Sequence, residues 1–285
     1  MSRKRKKHLP TSQTVVRPDV QFERELEVFR TEAEGAAQFF YALLAIHAAA
    51  GAKTPIYKLL NTAPLFWNTI LGALQTAAFV ALGRIFDQDS AHNIGRLMRL
   101  AQDNPQIFSK AEFAQRRQGA AETPPDWLDN YLKDIYLPKP ADFRRLRGYV
   151  SRYRKIYLEK YQPLRHRVFA HKGASDAGDV SALFASTNIR ELQRMLTFLM
   201  SLYDAMWQLF VNGKRPVLRP QRYSVGRMRA RLAKNARGRS VHERLVHEVE
   251  RFLEEASVTP PVGSLEKKPR RNRRADKIHR RPAYL

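Results

Sequence analysis

The sequence predicts an all-α protein, a helical bundle followed by a basic C-terminal extension. Four long segments carry apolar residues at the three- and four-residue spacing of amphipathic helices. No segment alternates apolar and polar residues in the way that is typical of strands, and no internal repeat is visible. At 285 residues the chain can bury a substantial core. The predicted core helices are residues 20–50, 64–87, 140–172 and 188–212.

The first core helix has its charges in the first half and a dense apolar second half, and Gly51 is expected to end it. Thr54 followed by Pro55 has the form of an N-cap and a first helical residue, which predicts a short helix to about Leu60. Further short helices are predicted at residues 91–103, 109–117 and 126–136.

The second core helix raises the question of a membrane span, because 25 residues without a charge separate Lys58 from Arg84. Polar residues recur on one side of this helix, for example Asn68 and Gln75. A polar seam favours a buried helix of a soluble protein, so no membrane contact is expected.

The third core helix has an apolar face of large residues, with many arginines around it. Pro163 is expected to disturb it, since a proline removes one backbone hydrogen bond and crowds the carbonyl four residues back. Asn188 with Glu191 resembles a capping box at the start of the fourth helix, and Gly213 is a natural stop. One more helix is predicted from Ser240 to about residue 256.

Positive charge divides the chain into a globular body and two basic ends. The formal net charge is +24, of which residues 1–10 carry +5 and residues 214–285 carry +14. The expected parts are a basic disordered N-terminus over 1–19, a helical domain over 20–213, a basic helical extension over 214–257 and a basic disordered tail over 258–285.

The basic ends are expected to bind nucleic acid through counterion release, without reading its sequence. The alternative is that they only aid solubility. The residues expected to contact nucleic acid in the tail are Arg270, Arg271, Arg273, Arg274, Arg280 and Arg281.

Cysteine usage and the N-terminus favour a cytoplasmic protein. The chain has no cysteine, which excludes a disulfide framework and restricts any zinc site to histidines and carboxylates. The first ten residues are basic but lack the apolar run of a signal peptide. Neither a metal nor a cofactor is expected.

The segment YQPLRHRVFAHKG, residues 161–173, is the candidate functional site. An Arg with a downstream His recurs by chance in so basic a chain, but here an amphipathic helix leads in and apolar residues separate the polar ones. RNA cleavage without a metal needs a base for the 2′-hydroxyl, an acid for the leaving 5′-oxygen and cations for the phosphorane charge. Histidine has the pKa for the first two, and arginine binds phosphate in a bidentate geometry. The side chains available are Arg165, His166, Arg167 and His171.

This segment resembles the motif of the HEPN superfamily, and most closely that of the abortive-infection proteins related to AbiU2. In that motif an Arg and a polar residue precede a short spacer and a His. Arg165, His166 and His171 stand in those places, with His166 where Asn or Asp is commoner. An upstream segment, LGRIFDQDS, resembles a second element of these proteins through Arg84 and Asp87.

The resemblance implies a metal-independent endoribonuclease of the toxin or phage-defence kind, acting on RNA as a homodimer with a cleft shared by two protomers. Arg165, His166 and His171 are then the catalytic set, with His166 as the supporting polar residue and Arg167 as a further cation. An antitoxin is a candidate partner. For Arg84 and Asp87 two hypotheses stay open, a structural ion pair between them or a supporting place near the active site.

One geometric obstacle follows from helical spacing. In a straight helix Arg165 and His171 lie about 120° apart around the axis, so they do not share a face. A kink at Pro163 with a helix end at Gly173, or two copies facing across a dimer axis, resolves this, and the family uses the second. Two other functions stay open, a non-catalytic helical module that binds RNA or DNA and an inactive HEPN scaffold that partners a nucleotidyltransferase.

Overall fold

The computed structural model describes residues 17–119, 123–166, 187–220, 224–230 and 240–258. Every regular element in these ranges is helical, which confirms the predicted all-α class. A 3₁₀ turn spans Pro105–Phe108. The α-helices of six residues or more, in chain order, are α1 (Pro18–Ala52), α2 (Thr54–Thr62), α3 (Pro64–Phe86), α4 (Ile94–Asp103), α5 (Lys110–Gln118), α6 (Leu128–Lys133), α7 (Pro140–Ile156), α8 (Ile189–Asn212), α9 (Val225–Ala230) and α10 (Val241–Val258).

Helix α1 is the centre of the bundle. Its buried residues recur every three or four positions, from Phe22 through Phe29 to Ala49, so one continuous stripe faces the core. This stripe packs on α3, α8 and α10. The predicted first core helix is confirmed and is two residues longer at each end.

The main core lies between α1, α3, α4, α7 and α8, and its centre is aromatic. The rings of Phe22, Phe108 and Phe210 pack tilted or edge-on, with centroids 5.0 to 6.4 Å apart. Tyr153 of α7 stacks on Phe198 of α8 at 4.2 Å. The helix that leads into the candidate motif is therefore joined directly to the last core helix.

Helix α7 widens just before the candidate motif. Tyr157–Tyr161 forms a π-helical turn, in which each N–H bonds to the carbonyl five residues back, and Gln162–Leu164 follows it. Pro163 has no N–H for such a bond, and a widened turn moves the preceding carbonyls away from its ring. The predicted disturbance at Pro163 therefore takes the form of a π turn. Phe86 stacks on Tyr157 at 5.3 Å and holds this turn against α3.

The ends of α8 agree with the sequence in part. Gly213 closes the helix in the left-handed conformation, with φ of 56°, as predicted. Asn188 caps the start by accepting a hydrogen bond from the backbone N–H two residues on, over 2.8 Å. The predicted capping box is wrong, because the Glu191 carboxylate pairs with Lys160 at 2.7 Å instead.

Helix α10 packs on α1 and α2 and belongs to the folded body. His242 stacks on Tyr41 with ring centroids 5.2 Å apart, and Leu253 is buried against Ile56 in a small second core. Residues 241–258 hold five acidic residues and two arginines. The positive charge expected of the C-terminal extension therefore lies on either side of α10 rather than in it.

Helix α2 and the first half of α3 are the least buried part of the bundle. Leu65 is 82% exposed, and Phe66 and Tyr57 are also exposed. Helices α1 and α3 are both long and apolar enough to cross a membrane by length and composition alone, a property that core helices of soluble proteins share. The predicted cap of α2 is wrong, since Lys53 takes the cap position and Thr54 is the first helical residue.

Candidate functional site

Arg165, the first residue of the predicted motif, is held by Asp87. Arg165 Nη2 lies 2.5 Å from Asp87 Oδ2, and the two side chains are only 22% and 14% exposed. Asp87 directly follows α3 and has an extended backbone, with φ −71° and ψ 134°. Its carboxylate therefore does not point in the direction that it would take if α3 continued. Two segments that are far apart in the sequence meet through this ion pair.

Gly83 makes room for the Arg165 side chain. A β-carbon built on Gly83 would lie 2.8 Å from Arg165 Cζ and closer still to Nη1, well inside van der Waals contact. The guanidinium therefore lies directly against the backbone of α3. The N–H of Asp87 bonds to the Gly83 carbonyl over 2.9 Å, so one helical turn supplies both the space and the carboxylate.

Two residues of the π-turn segment complete the surroundings of Asp87. Gln162 Nε2 donates to Asp87 Oδ1 over 3.1 Å, so each carboxylate oxygen has a partner. The Tyr157 hydroxyl is buried, and burial together with the nearby Asp87 charge raises its pKa. This hydroxyl therefore stays protonated at neutral pH and remains a hydrogen-bond donor.

His166 lies beside the same guanidinium. Its Nε2 is 2.6 Å from Arg165 Nη2. Because a guanidinium only donates, the imidazole nitrogen is the acceptor in this contact. The His166 ring is exposed, so a ligand that approaches Arg165 meets it as well.

Arg84 lies apart from this cluster. Its Nη1 is 3.2 Å from Glu32 Oε1 on α1, and its side chain is 61% exposed. The hypothesis of an ion pair between Arg84 and Asp87 is wrong, because Asp87 stands beyond the helix end and pairs with Arg165. Asp87 therefore contacts the candidate motif through Arg165, whereas Arg84 contacts α1 through Glu32.

The other sequence-predicted site residues, Arg167 and His171, lie outside the described residues. The same holds for the tail arginines, which are Arg270, Arg271, Arg273, Arg274, Arg280 and Arg281. In the part of the chain that the structure describes, no three His, Asp or Glu side chains are grouped closely enough to hold a metal ion. The geometry of the site therefore rests on Arg165, His166 and Asp87.

Arg165 Nε is buried and has no hydrogen-bond partner among the described residues. Buried polar groups are normally paired, so the unpaired Nε is an unusual feature of this site. Asp87 and His166 both bind Arg165 through Nη2. The cluster thus holds a fixed guanidinium, a group that suits an anion, at the start of the candidate motif.

Sequence reasoning missed four neighbours of this cluster, and little in the sequence marks them. Tyr157 falls on the apolar face of the predicted helix, Gln162 has no distinctive spacing, and a glycine such as Gly83 carries no sign of what packs on it. Arg154 belongs to a run of basic residues that is typical of a solvated face. When the Gln88 amide is oriented with its oxygen toward Arg154, Arg154 donates two hydrogen bonds of 2.8 and 3.0 Å to that oxygen. Gln88 directly follows Asp87 in the chain.

A known protein family matches most of the chain. The family model described as AbiU2 (HEPN_AbiU2) matches residues 19–230, about three-quarters of the sequence. No curated protein and no solved structure matches. The matched range contains the helix end with Gly83 and Asp87, the segment with Arg165, and helix α8. The chain therefore belongs to the AbiU2 family of HEPN proteins, whose function at the level of the family is of the abortive-infection, toxin-like type.

Proposed function

We propose that the protein is a metal-independent endoribonuclease of the HEPN toxin type. The observation that carries this proposal is the Asp87–Arg165 pair over Gly83, which fixes a guanidinium at the start of the predicted motif. A cation fixed before the reaction stabilises developing negative charge without reorganisation. His171 follows six residues later and supplies a group for proton transfer.

The proposed reaction is attack of a ribose 2′-hydroxyl on the adjacent phosphorus. A base takes the 2′-hydroxyl proton, the bond from phosphorus to the 5′-oxygen breaks, and an acid protonates that oxygen. The products are a 2′,3′-cyclic phosphate and a 5′-hydroxyl end. His171 transfers protons, Arg165 binds the negative charge of the phosphorane, and His166 orients Arg165 through its 2.6 Å contact.

Asp87 is a positioning residue in this proposal. A long arginine side chain loses conformational freedom when it binds phosphate, which weakens binding. The ion pair with Asp87 and the contact with Gly83 fix the Arg165 rotamer in the folded protein, so less freedom remains to be lost. Gln162 donates to the other carboxylate oxygen and so helps to hold Asp87 in the orientation that binds Arg165.

The active form is proposed to be a homodimer with a shared cleft. Helical spacing alone would put Arg165 and His171 about 120° apart on a straight helix, and the resemblance to the HEPN family implies a homodimer that brings the two residues together. Two copies that face each other across a two-fold axis place both residues of both protomers in one cleft.

Incubation of the purified full-length protein with total RNA in EDTA tests the activity. We expect the wild type to cut RNA and leave 2′,3′-cyclic phosphate ends, identified by mass spectrometry of the fragments. His171→Ala is expected to cut at least about 10²-fold more slowly, the usual contribution of an acid–base group. Cleavage that requires an added divalent ion contradicts the proposal. Absence of cleavage under all conditions makes a non-catalytic nucleic-acid-binding module the better interpretation.

Mixing two inactive variants tests the shared cleft. Arg165→Lys and His171→Ala homodimers each lack one function in every cleft, whereas a heterodimer retains one Arg165 and one His171. We therefore expect subunit exchange between the two variants to restore part of the cleavage rate, measured on a fluorescent RNA. A monomer at assay concentration that still cuts RNA contradicts the shared cleft.

A further inference from the structure

An open cleft lies between α7, α8 and the segment that leads into α9. Its volume is about 490 Å³, and Tyr153, Thr197 and Pro220 form part of its walls. Tyr153 is fixed there by its stacking on Phe198, so this wall belongs to the rigid core. The polar groups that line the cleft are Arg190, Gln193, Arg194, Ser224 and Arg227.

The charged side chains that line this cleft are all positive. Arg190 and Arg194 stand one helical turn apart on α8 and share a face, and Arg227 on α9 lines the cleft with them. No acidic residue lines the cleft, and none of the three arginines forms an ion pair within the part of the chain that the structure describes. All three are exposed. Like charges held together without counterions favour the binding of a polyanion.

Helix α7 and the π turn that follows it connect the cleft to the candidate site. Tyr161 Oη lies 3.4 Å from the Asn188 carbonyl, which places the start of α8 beside the π turn of α7. Arg190 is two residues after Asn188, and Arg165 is four residues after Tyr161. Tyr153 precedes Arg165 by twelve residues, which is about 18 Å along a helix. The cleft and Arg165 are therefore placed along one continuous helical segment, and the cleft also uses the start of α8 that lies beside the π turn.

We infer that this cleft binds backbone phosphates of the RNA strand whose cleavage is proposed above. Arginine, glutamine, serine, threonine and tyrosine are the side chains that contact phosphate oxygens in nucleic-acid complexes, and the cleft has each of them. The inference rests on the proposed function in so far as the bound strand is the substrate. Binding in the cleft positions the RNA strand, whereas cleavage of its backbone takes place at Arg165.

The double variant Arg190→Gln/Arg194→Gln tests this inference in the full-length chain. Binding is measured by fluorescence anisotropy of a short labelled single-stranded RNA over a range of salt concentrations. All proteins carry His171→Ala, so cleavage does not interfere and failure of the ribonuclease proposal leaves this test intact. We expect weaker binding and a slope of log affinity against log salt that is less steep by about 1.4, which is two phosphate contacts on a single strand.

The matched control is Arg24→Gln/Arg99→Gln. Arg24 and Arg99 are exposed, do not line the cleft and form no ion pair in the described ranges, so the control removes the same charge elsewhere. We expect its slope to equal that of the parent. Equal slopes for both double variants overturn the inference. The inference is also overturned if the cleft variant binds labelled oligo-glutamate more weakly than the parent does but binds RNA equally well. The cleft would then be a site for an acidic protein segment.

Discussion

Replacing Arg165 by lysine is expected to lower the rate of RNA cleavage by about 10²- to 10³-fold, the cost of removing one preorganised donor from a transition state. Lysine keeps the charge but lacks the planar set of donors that binds Asp87, His166 and a phosphate at the same time. The fold should tolerate the change, because the ammonium group still pairs with Asp87. The cleavage rate on a fluorescent RNA and a circular dichroism spectrum measure the two effects.

The same change at Arg84 is the matched control. Arg84 lies on α3, directly after Gly83, but it pairs with Glu32 and is largely exposed. We expect Arg84→Lys to cut RNA at the wild-type rate. An Arg165→Lys variant that is as active as Arg84→Lys would show that the charge alone, and not the guanidinium, serves the reaction.

Replacing Gly83 by alanine is expected to reduce cleavage by about 10²-fold while the protein stays folded, because the loss of one preorganised donor has an effect of that order. The new methyl group occupies the position of the Arg165 guanidinium, so this side chain must move away from Asp87. Alanine favours a helix over glycine by about 0.5–1 kcal/mol, which offsets part of the lost ion pair. The midpoint temperature of thermal unfolding should therefore change little, although the cleavage activity falls.

Gly72→Ala provides the control on the same helix. No atom lies within 4 Å of a β-carbon added at Gly72. We expect this variant to gain about 0.5–1 kcal/mol of stability from helix propensity and to keep the wild-type cleavage rate. Wild-type activity in Gly83→Ala would contradict the role assigned to the fixed Arg165 rotamer.

The helices were predictable because their apolar residues repeat with the period of the helix. Phe22 to Ala49 in α1 and the stop at Gly213 follow from local patterns alone. The capping box at Glu191 was wrong because a lysine from another helix competes for the same carboxylate. Local rules describe what a residue can do, whereas tertiary neighbours decide which option has the lowest free energy.

The candidate site was predictable only in its position along the chain. Arg165 and His166 stand out by sequence, yet the partner of Arg165 could not be identified because Asp87 lies in a distant segment. Spacing suggested that Asp87 faces Arg84, as it would if α3 continued. The helix ends at Phe86, so the carboxylate points elsewhere, and no pattern in the sequence reports on that backbone angle.

The packing of α10 on α1 has a consequence for synthesis on the ribosome. Helix α1 is made first, but part of the surface around Tyr41 and Ile56 is covered by α10, nearly 200 residues later. At a synthesis rate of ~5–20 residues per second, that part of α1 and α2 stays uncovered by α10 for roughly 10 to 40 s. A nascent chain shorter than about 258 residues therefore exposes an apolar surface that chaperones recognise, and the small second core closes only after α10 has left the exit tunnel.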